Sequence, residues 1–194
     1  MVTLDEIRRH VCADAHELAA TTGLVLPLLE DLDSNKEEHR PHFFLREHLA
    51  RHVVLVIVRL HEAPATRAKG MRVIASIRSL LDYVKAEKRL THDHIANFTG
   101  RREALIAAYE AQDESFDNLR DFRHTEMGHS IHVSGQSPAQ LLFHPMWDLA
   151  HDTFELVLEI ESQLVQTGSA RIIDLDGEFH KWRDRGEEFW SSRL

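Results

Sequence analysis

A chain of 194 residues with one cysteine, eight glycines and five prolines is long enough to bury a core as a single domain without disulfides or a structural metal. Its formal charge of −9 with fifteen histidines neutral excludes a broad basic surface of the kind that gives sequence-independent DNA or RNA affinity, though it leaves room for a local positive groove. Cys12 cannot close an intramolecular disulfide, the opening "MVTLDEIRRHVCADAHELAA" is charged where a signal peptide needs an apolar stretch, and the longest apolar run, 53–58, falls far short of the ~20 residues that span a bilayer. A cytoplasmic, reducing setting and no membrane partner are expected.

Abundant Ala, Leu, Glu and Arg without sustained apolar alternation predict an all-α fold. The first helix starts at Thr3, with Glu6 placed for a capping box, and carries Leu4, Ile7, Val11, Ala15, Leu18 and Ala19 at helical spacing. A bend or stop is expected between Gly23 and Pro27. Pro41 suits the start of a second helix, the most apolar one and the expected centre of the bundle, with Phe44, Leu49, Val53, Val56, Ile57 and Leu60. A third helix is predicted near 70–88, with Met71, Ile74, Ile77, Leu80 and Val84 on its buried side.

Thr91 caps the next element and Gly100 is read as a break. From Arg101 a long helix is expected through Leu105, Tyr109, Phe116, Leu119 and Phe122 to Met127. "VSGQSPAQ" is a loop by its Gly, Ser and Pro content. "HPMWDLAHDTFELVLEIESQLVQTG" is an amphipathic helix closed by Gly168. Residues 170–194 form an amphipathic tail whose Phe179, Trp182, Phe189 and Trp190 need a surface, on the bundle or on a dimer partner. Residues 1–194 are expected to make one domain.

The densest chemistry lies in "RDFRHTEMGHSIH", 120–132. An arginine offers a planar fork to phosphate oxygens and stabilises charge that develops in a transition state. A histidine of near-neutral pKa can take a ribose 2′-hydroxyl proton or protonate a leaving 5′-oxygen. Arg123 and His129 therefore make a sufficient kit for RNA cleavage without a metal. In an unbroken helix six residues advance ~9 Å and set the two side chains ~120° apart. Gly128 permits a turn that swings His129 toward Arg123, and two copies in a dimer would also build a joint site.

"RHTEMGHS" resembles the signature of the HEPN superfamily, an arginine, a polar residue and a short spacer ending in a small residue before histidine. Arg123, His124, Gly128 and His129 stand at those positions. The chain is similar to the AbiU-like abortive-infection branch over roughly residues 40 to 165. There "VLVIVRLHE" ends an apolar helix, a third helix and the long motif-bearing helix follow, and a helix of "WDLAHDTFELVLEIES" character comes next. The resemblance implies a HEPN-type bundle of about five to six helices, dimerised so that two motifs line one cleft. It also implies a metal-independent endoribonuclease of toxin–antitoxin or abortive-infection (phage defence) type, with RNA as substrate, no cofactor, and an antitoxin protein as a candidate partner. On that reading Arg123 polarises the scissile phosphate, His129 is the acid/base or orienting group, and His124 fixes the other two. Members controlled by a nucleotidyltransferase antitoxin carry a tyrosine two residues after the histidine. Ile131 stands there, which argues against that control.

Three other readings stand beside this one. Arg123 can simply pair with Glu126 at i,i+3 on a surface helix, a contact worth ~0.2–0.5 kcal/mol. Arg120 is read as ion-paired, or as a weaker source of phosphate attraction one turn before His124. The fold could also serve as a catalytically inactive nucleotide-binding or protein-interaction module. Finally, Glu126, His129 and His132 repeat at i,i+3,i+6 and could ligate a metal in a helical-bundle enzyme, but "EMGH" is the only Glu-x-x-His in the chain and carboxylate-bridged sites need a second such pair.

Overall fold

The computed structural model of the chain describes residues 2–30, 40–62, 74–112, 115–122, 143–175 and 177–191. Among them are seven helices and no strand: α1 (Leu4–Glu30), α2 (Arg40–His61), α3 (Ile77–Ala86), α4 (His92–Glu110), α5 (Phe116–Phe122), α6 (Phe143–Gln166) and α7 (Glu178–Ser191). The fold is an all-α bundle. The count exceeds the expected five to six because the 170–194 tail contributes a helix of its own, while the element capped by Thr91 merges with the start of the predicted long helix and the later part of that helix separates as α5.

Local chemistry explains the boundaries. Thr3 and Glu6 exchange hydrogen bonds at the start of α1, from Thr3 N to Glu6 Oε2 at 2.8 Å and from Glu6 N to Thr3 Oγ1 at 3.2 Å, so two orphan amides are satisfied reciprocally. The third helix starts at Ile77 rather than near 70, because the Ser76 hydroxyl caps it by accepting from Ser79 N. Residues 70–73 lie outside the described residues. Gly100 does not break α4. The interruption falls instead after Glu110, where the Glu110 carboxylate accepts from Phe116 N and the Ser115 hydroxyl accepts from Asp117 N. Two polar side chains thereby start a new helix, and the single helix expected from Arg101 is divided into α4 and α5 as far as Phe122, its expected continuation to Met127 lying outside the described residues. Gly168, at φ +96°, ends α6 as expected: its N–H bonds Val165 O and that of Ser169 bonds Leu164 O, a Schellman pair.

The core lies between α1, α2, α3 and α6. Ile7, Val11 and Leu18 of α1 meet Val53, Ile57 and Leu60 of α2, Leu80 of α3, and Ala150, Val157 and Ile160 of α6 in one buried cluster. The apolar run of α2 is buried at Val53, Val54, Val56, Ile57 and Val58, as a helix apolar on most faces must be. Within this core Arg8 is only 2% exposed. Its guanidinium grips Glu161 of α6 through Nε at 3.0 Å and Nη2 at 2.8 Å, and donates to Ala170 O at 3.0 Å. Burial works against that charge, but the hydrogen bonds and charge of Glu161 outweigh it and hold the Arg8 pKa above its ordinary value.

α1 passes through Gly23 and Pro27 without the expected stop, and packs most extensively against α7. The two helices touch backbone to backbone. A Cβ on Gly186 would lie 2.9 Å from Gly23 O, and one on Gly23 would lie 2.9 Å from Arg183 N. Pro27 has no N–H to offer the carbonyl one turn before it, and that carbonyl belongs to Gly23, which faces α7. Beside this contact the Glu178 carboxylate accepts from Trp182 Nε1 at 3.0 Å and meets His16 Nε2 at 3.1 Å. No helix among the described residues is long and apolar enough to cross a membrane.

Candidate functional site

Of the residues singled out in the sequence, Arg123, His124 and His129, the accessory Gly128 and Ile131, and the rival metal set Glu126, His129 and His132 all lie outside the described residues. Arg120 is described. It sits in the last turn of α5, immediately before that stretch, where its Nη1 donates to Asp117 at 2.6 Å and its guanidinium carbon lies 5.0 Å from the Phe116 ring centroid. The i,i+3 carboxylate and the aromatic face orient the guanidinium while leaving the side chain 41% exposed.

Four other elements bring polar groups to the corner where α5 sits. Arg102 of α4 donates to the carbonyl oxygen of His61 at the end of α2, an acceptor that the helix itself leaves unpaired. His61 is fully buried. Its Nε2 lies 2.8 Å from Thr153 Oγ1 of α6, and its ring meets Phe116 edge-on with centroids 5.7 Å apart. Among the described residues, His61 Nδ1 and Arg102 Nε are buried with no hydrogen-bond partner. Arg78 of α3 is exposed and close enough to Arg102 to affect its charge.

The electrostatics of this corner are one-sided. Burial, followed by the charges of Arg78 and Arg120, holds the Arg102 pKa below its ordinary value against the opposing charge of Glu103. Burial, then Arg102 and Arg120, push the His61 imidazole down to about 3. His61 is therefore neutral in neutral solution and adds no charge to the corner. Among the described residues no carboxylate forms an ion pair with Arg78 or Arg102, and Asp117 offsets Arg120 only. Convergent guanidiniums without matching carboxylates repel one another in partial isolation from water. Added negative charge near this corner would relieve that repulsion. The neutral imidazole is buried and held against Thr153 rather than exposed at the surface.

The other arginines near the site are committed elsewhere. Arg59, which ends the apolar run of α2, forms a two-pronged pair with Asp14 of α1 at 2.6 Å for both contacts. Arg101 pairs with Glu159 of α6. His52 of α2 contacts Glu17 of α1 at 2.9 Å. No group of three His, Cys, Asp or Glu placed to hold a metal occurs among the described residues.

Sequence reasoning passed over His61, Arg78, Arg102 and Thr153 as members of a site. The available signals were weak ones: a histidine ending an apolar run, and the Arg101–Arg102 pair, of which one side chain faces a carboxylate and the other does not. No protein-family model, no curated protein and no solved structure matches the chain.

Proposed function

We propose that the chain is a metal-independent endoribonuclease of the HEPN type, acting as a homodimer in a toxin–antitoxin or abortive-infection setting, with an antitoxin protein as its regulating partner. The observation that carries this reading is the sequence "RHTEMGHS" following directly on α5, with Arg120 and the uncompensated Arg102 and Arg78 adding phosphate attraction alongside it. In the reaction, His129 removes the proton of a ribose 2′-hydroxyl. The 2′-oxygen attacks the adjacent phosphorus and the bond from phosphorus to the 5′-oxygen breaks. That oxygen leaves as a hydroxyl once an imidazole, in a dimer the second His129, donates a proton. Arg123 stabilises the extra negative charge on the non-bridging oxygens, and His124 orients the pair. The products are a 2′,3′-cyclic phosphate and a 5′-hydroxyl, and no metal enters.

The purified protein is expected to cut RNA in excess EDTA and to leave cyclic phosphate ends. Arg123→Ala and His129→Ala should fold as the wild type does and lose at least a hundredfold in rate, within the range of a single acid–base or oxyanion group. Cleavage that survives both substitutions overturns the reading. The net charge of −9 favours one alternative, a non-catalytic interaction module of the same fold, which predicts dimerisation without cleavage.

A further inference from the structure

The far end of the bundle carries a second concentration of arginine, apart from the His61 corner. A cavity of ≈ 360 Å³ opens where the first turns of α1 meet the loop after α6 and the turn after α3, and Arg8, Arg9, Arg89 and Arg171 line it, with Asp5 as the only carboxylate among the described residues. Its volume is at the small end of ligand pockets, ~300–1,000 Å³. Along α6, Gly168 is fifteen residues from Thr153, about 22 Å at the helical rise, so this cavity and the His61 corner are separate.

Each wall is held by specific bonds. Buried Arg8 ties the floor together by clamping Glu161 and Ala170 O, with its Nη1 3.4 Å from Asp5. The Schellman turn at Gly168 carries the chain back over α1 and delivers Arg171. Arg89 is fixed by its own N–H to Val84 O, after Lys88 at φ 55° has reversed the chain. Arg9 follows Arg8 on α1 and is exposed.

The charges are unevenly matched. Glu161 answers Arg8 inside the protein. Arg171 meets Asp174 at 2.8 Å and Arg89 meets Glu87 at 3.3 Å, both surface pairs of the kind worth about 0–1 kcal/mol. Arg9 makes no ion pair among the described residues, and its field contributes only weakly to holding Glu6 below the usual carboxylate range, behind the Thr3 hydrogen bonds. A concave, net positive lining on a chain of charge −9 runs against the trend of the whole molecule. An ion of two or more negative charges can meet Arg9 and compete with Glu87 and Asp174 for the exposed forks of Arg89 and Arg171, offering all three more charge than isolated carboxylates on flexible side chains do.

We infer that this cavity is a binding site for a compact, multiply charged phosphate group, carried either by a free nucleotide or by the 5′-phosphate end of a polynucleotide. Titration calorimetry of the full chain with inorganic pyrophosphate at low salt is expected to give saturable binding of one ion per chain. Arg9→Ser and Arg171→Ser, both at exposed positions, should each weaken it about tenfold with unchanged melting curves. Asp5→Asn should tighten it several-fold by removing an opposing carboxylate. The source is read from two further titrants. ADP binding as pyrophosphate does, without response to an oligodeoxynucleotide, identifies a free nucleotide. A 5′-phosphorylated oligodeoxynucleotide that binds more tightly than its 5′-hydroxyl counterpart identifies a chain end. Absence of saturable pyrophosphate binding, or binding indifferent to Arg9, Arg171 and Asp5, overturns the inference. Because the titrants are not cleavable RNA, neither result depends on the proposed nuclease.

Discussion

Arg8 and Arg102 are both largely withdrawn from water, and the protein treats them in opposite ways. Arg8 meets the carboxylate of Glu161 in two hydrogen bonds and gains a backbone acceptor as well. Arg102 meets a backbone carbonyl, leaves Nε buried without a partner among the described residues, and shares its surroundings with Arg78 and Arg120. Burial lowers the pKa of each, yet the first ends above its ordinary value and the second below it. A buried arginine with a matched carboxylate joins helices. One surrounded by its own kind stores repulsion that an external anion can release, and such sites concentrate where function does.

That contrast makes graded predictions. The largest effect is expected at the matched pair. Glu161→Gln leaves Arg8 buried with its charge unanswered and should lower unfolding free energy by ~3–5 kcal/mol in urea titrations at neutral pH. A loss under 1 kcal/mol would mean that Arg8 is no structural clamp. Acid should probe the unmatched corner next. His61 titrates near ~6.5 when unfolded and at about 3 in the folded chain, so between those values the unfolded state binds the extra proton. The stability that neutral His61 contributes is fully present above pH ~6.5 and is lost as pH falls toward 3, on the order of a few kcal/mol in all. Carboxylates titrate over part of that range, so the measurement is the difference in urea midpoint between wild type and His61→Gln at pH 7, 5.5 and 4. The two curves should converge as pH falls, and parallel curves would refute the assignment.

The smallest change in stability is expected from Arg102→Gln. It removes a hydrogen bond worth ~0.5–1.5 kcal/mol and relieves repulsion of comparable size, leaving net stability within about 1 kcal/mol of wild type. RNA affinity should nevertheless fall several-fold, with the slope of log K against log salt shallower by about one phosphate contact. A variant that unfolds while binding RNA normally would reverse the distinction between the two arginines.

Helical character and several boundaries were legible because their causes are local: the Thr3–Glu6 box, the cap at Thr91 and the glycine stop at Gly168 each involve residues within one turn. Gly100 and Pro27 misled because a lone glycine on an exposed helix face, or a proline whose freed carbonyl points at a neighbouring helix, weakens a helix without ending it. The division between α4 and α5 depended on Glu110 and Ser115 acting together, a pairing that periodicity does not register. The arginine corner was invisible for a different reason. Arg78, Arg102 and Arg120 lie on three helices, and only packing brings their charges together. Arg120 with Asp117, at i,i+3, was the exception that sequence spacing could supply.

The Gly23–Gly186 contact has a consequence for the order of events during synthesis. The broadest partner of α1 is α7, more than a hundred and forty residues later in the chain. At roughly 5–20 residues per second, a ribosome takes on the order of ten seconds or more to deliver it. Through that interval the apolar stripe and the bared glycine backbone of α1 await their partner, and a nascent chain stalled before α7 would present that surface to chaperones and proteases.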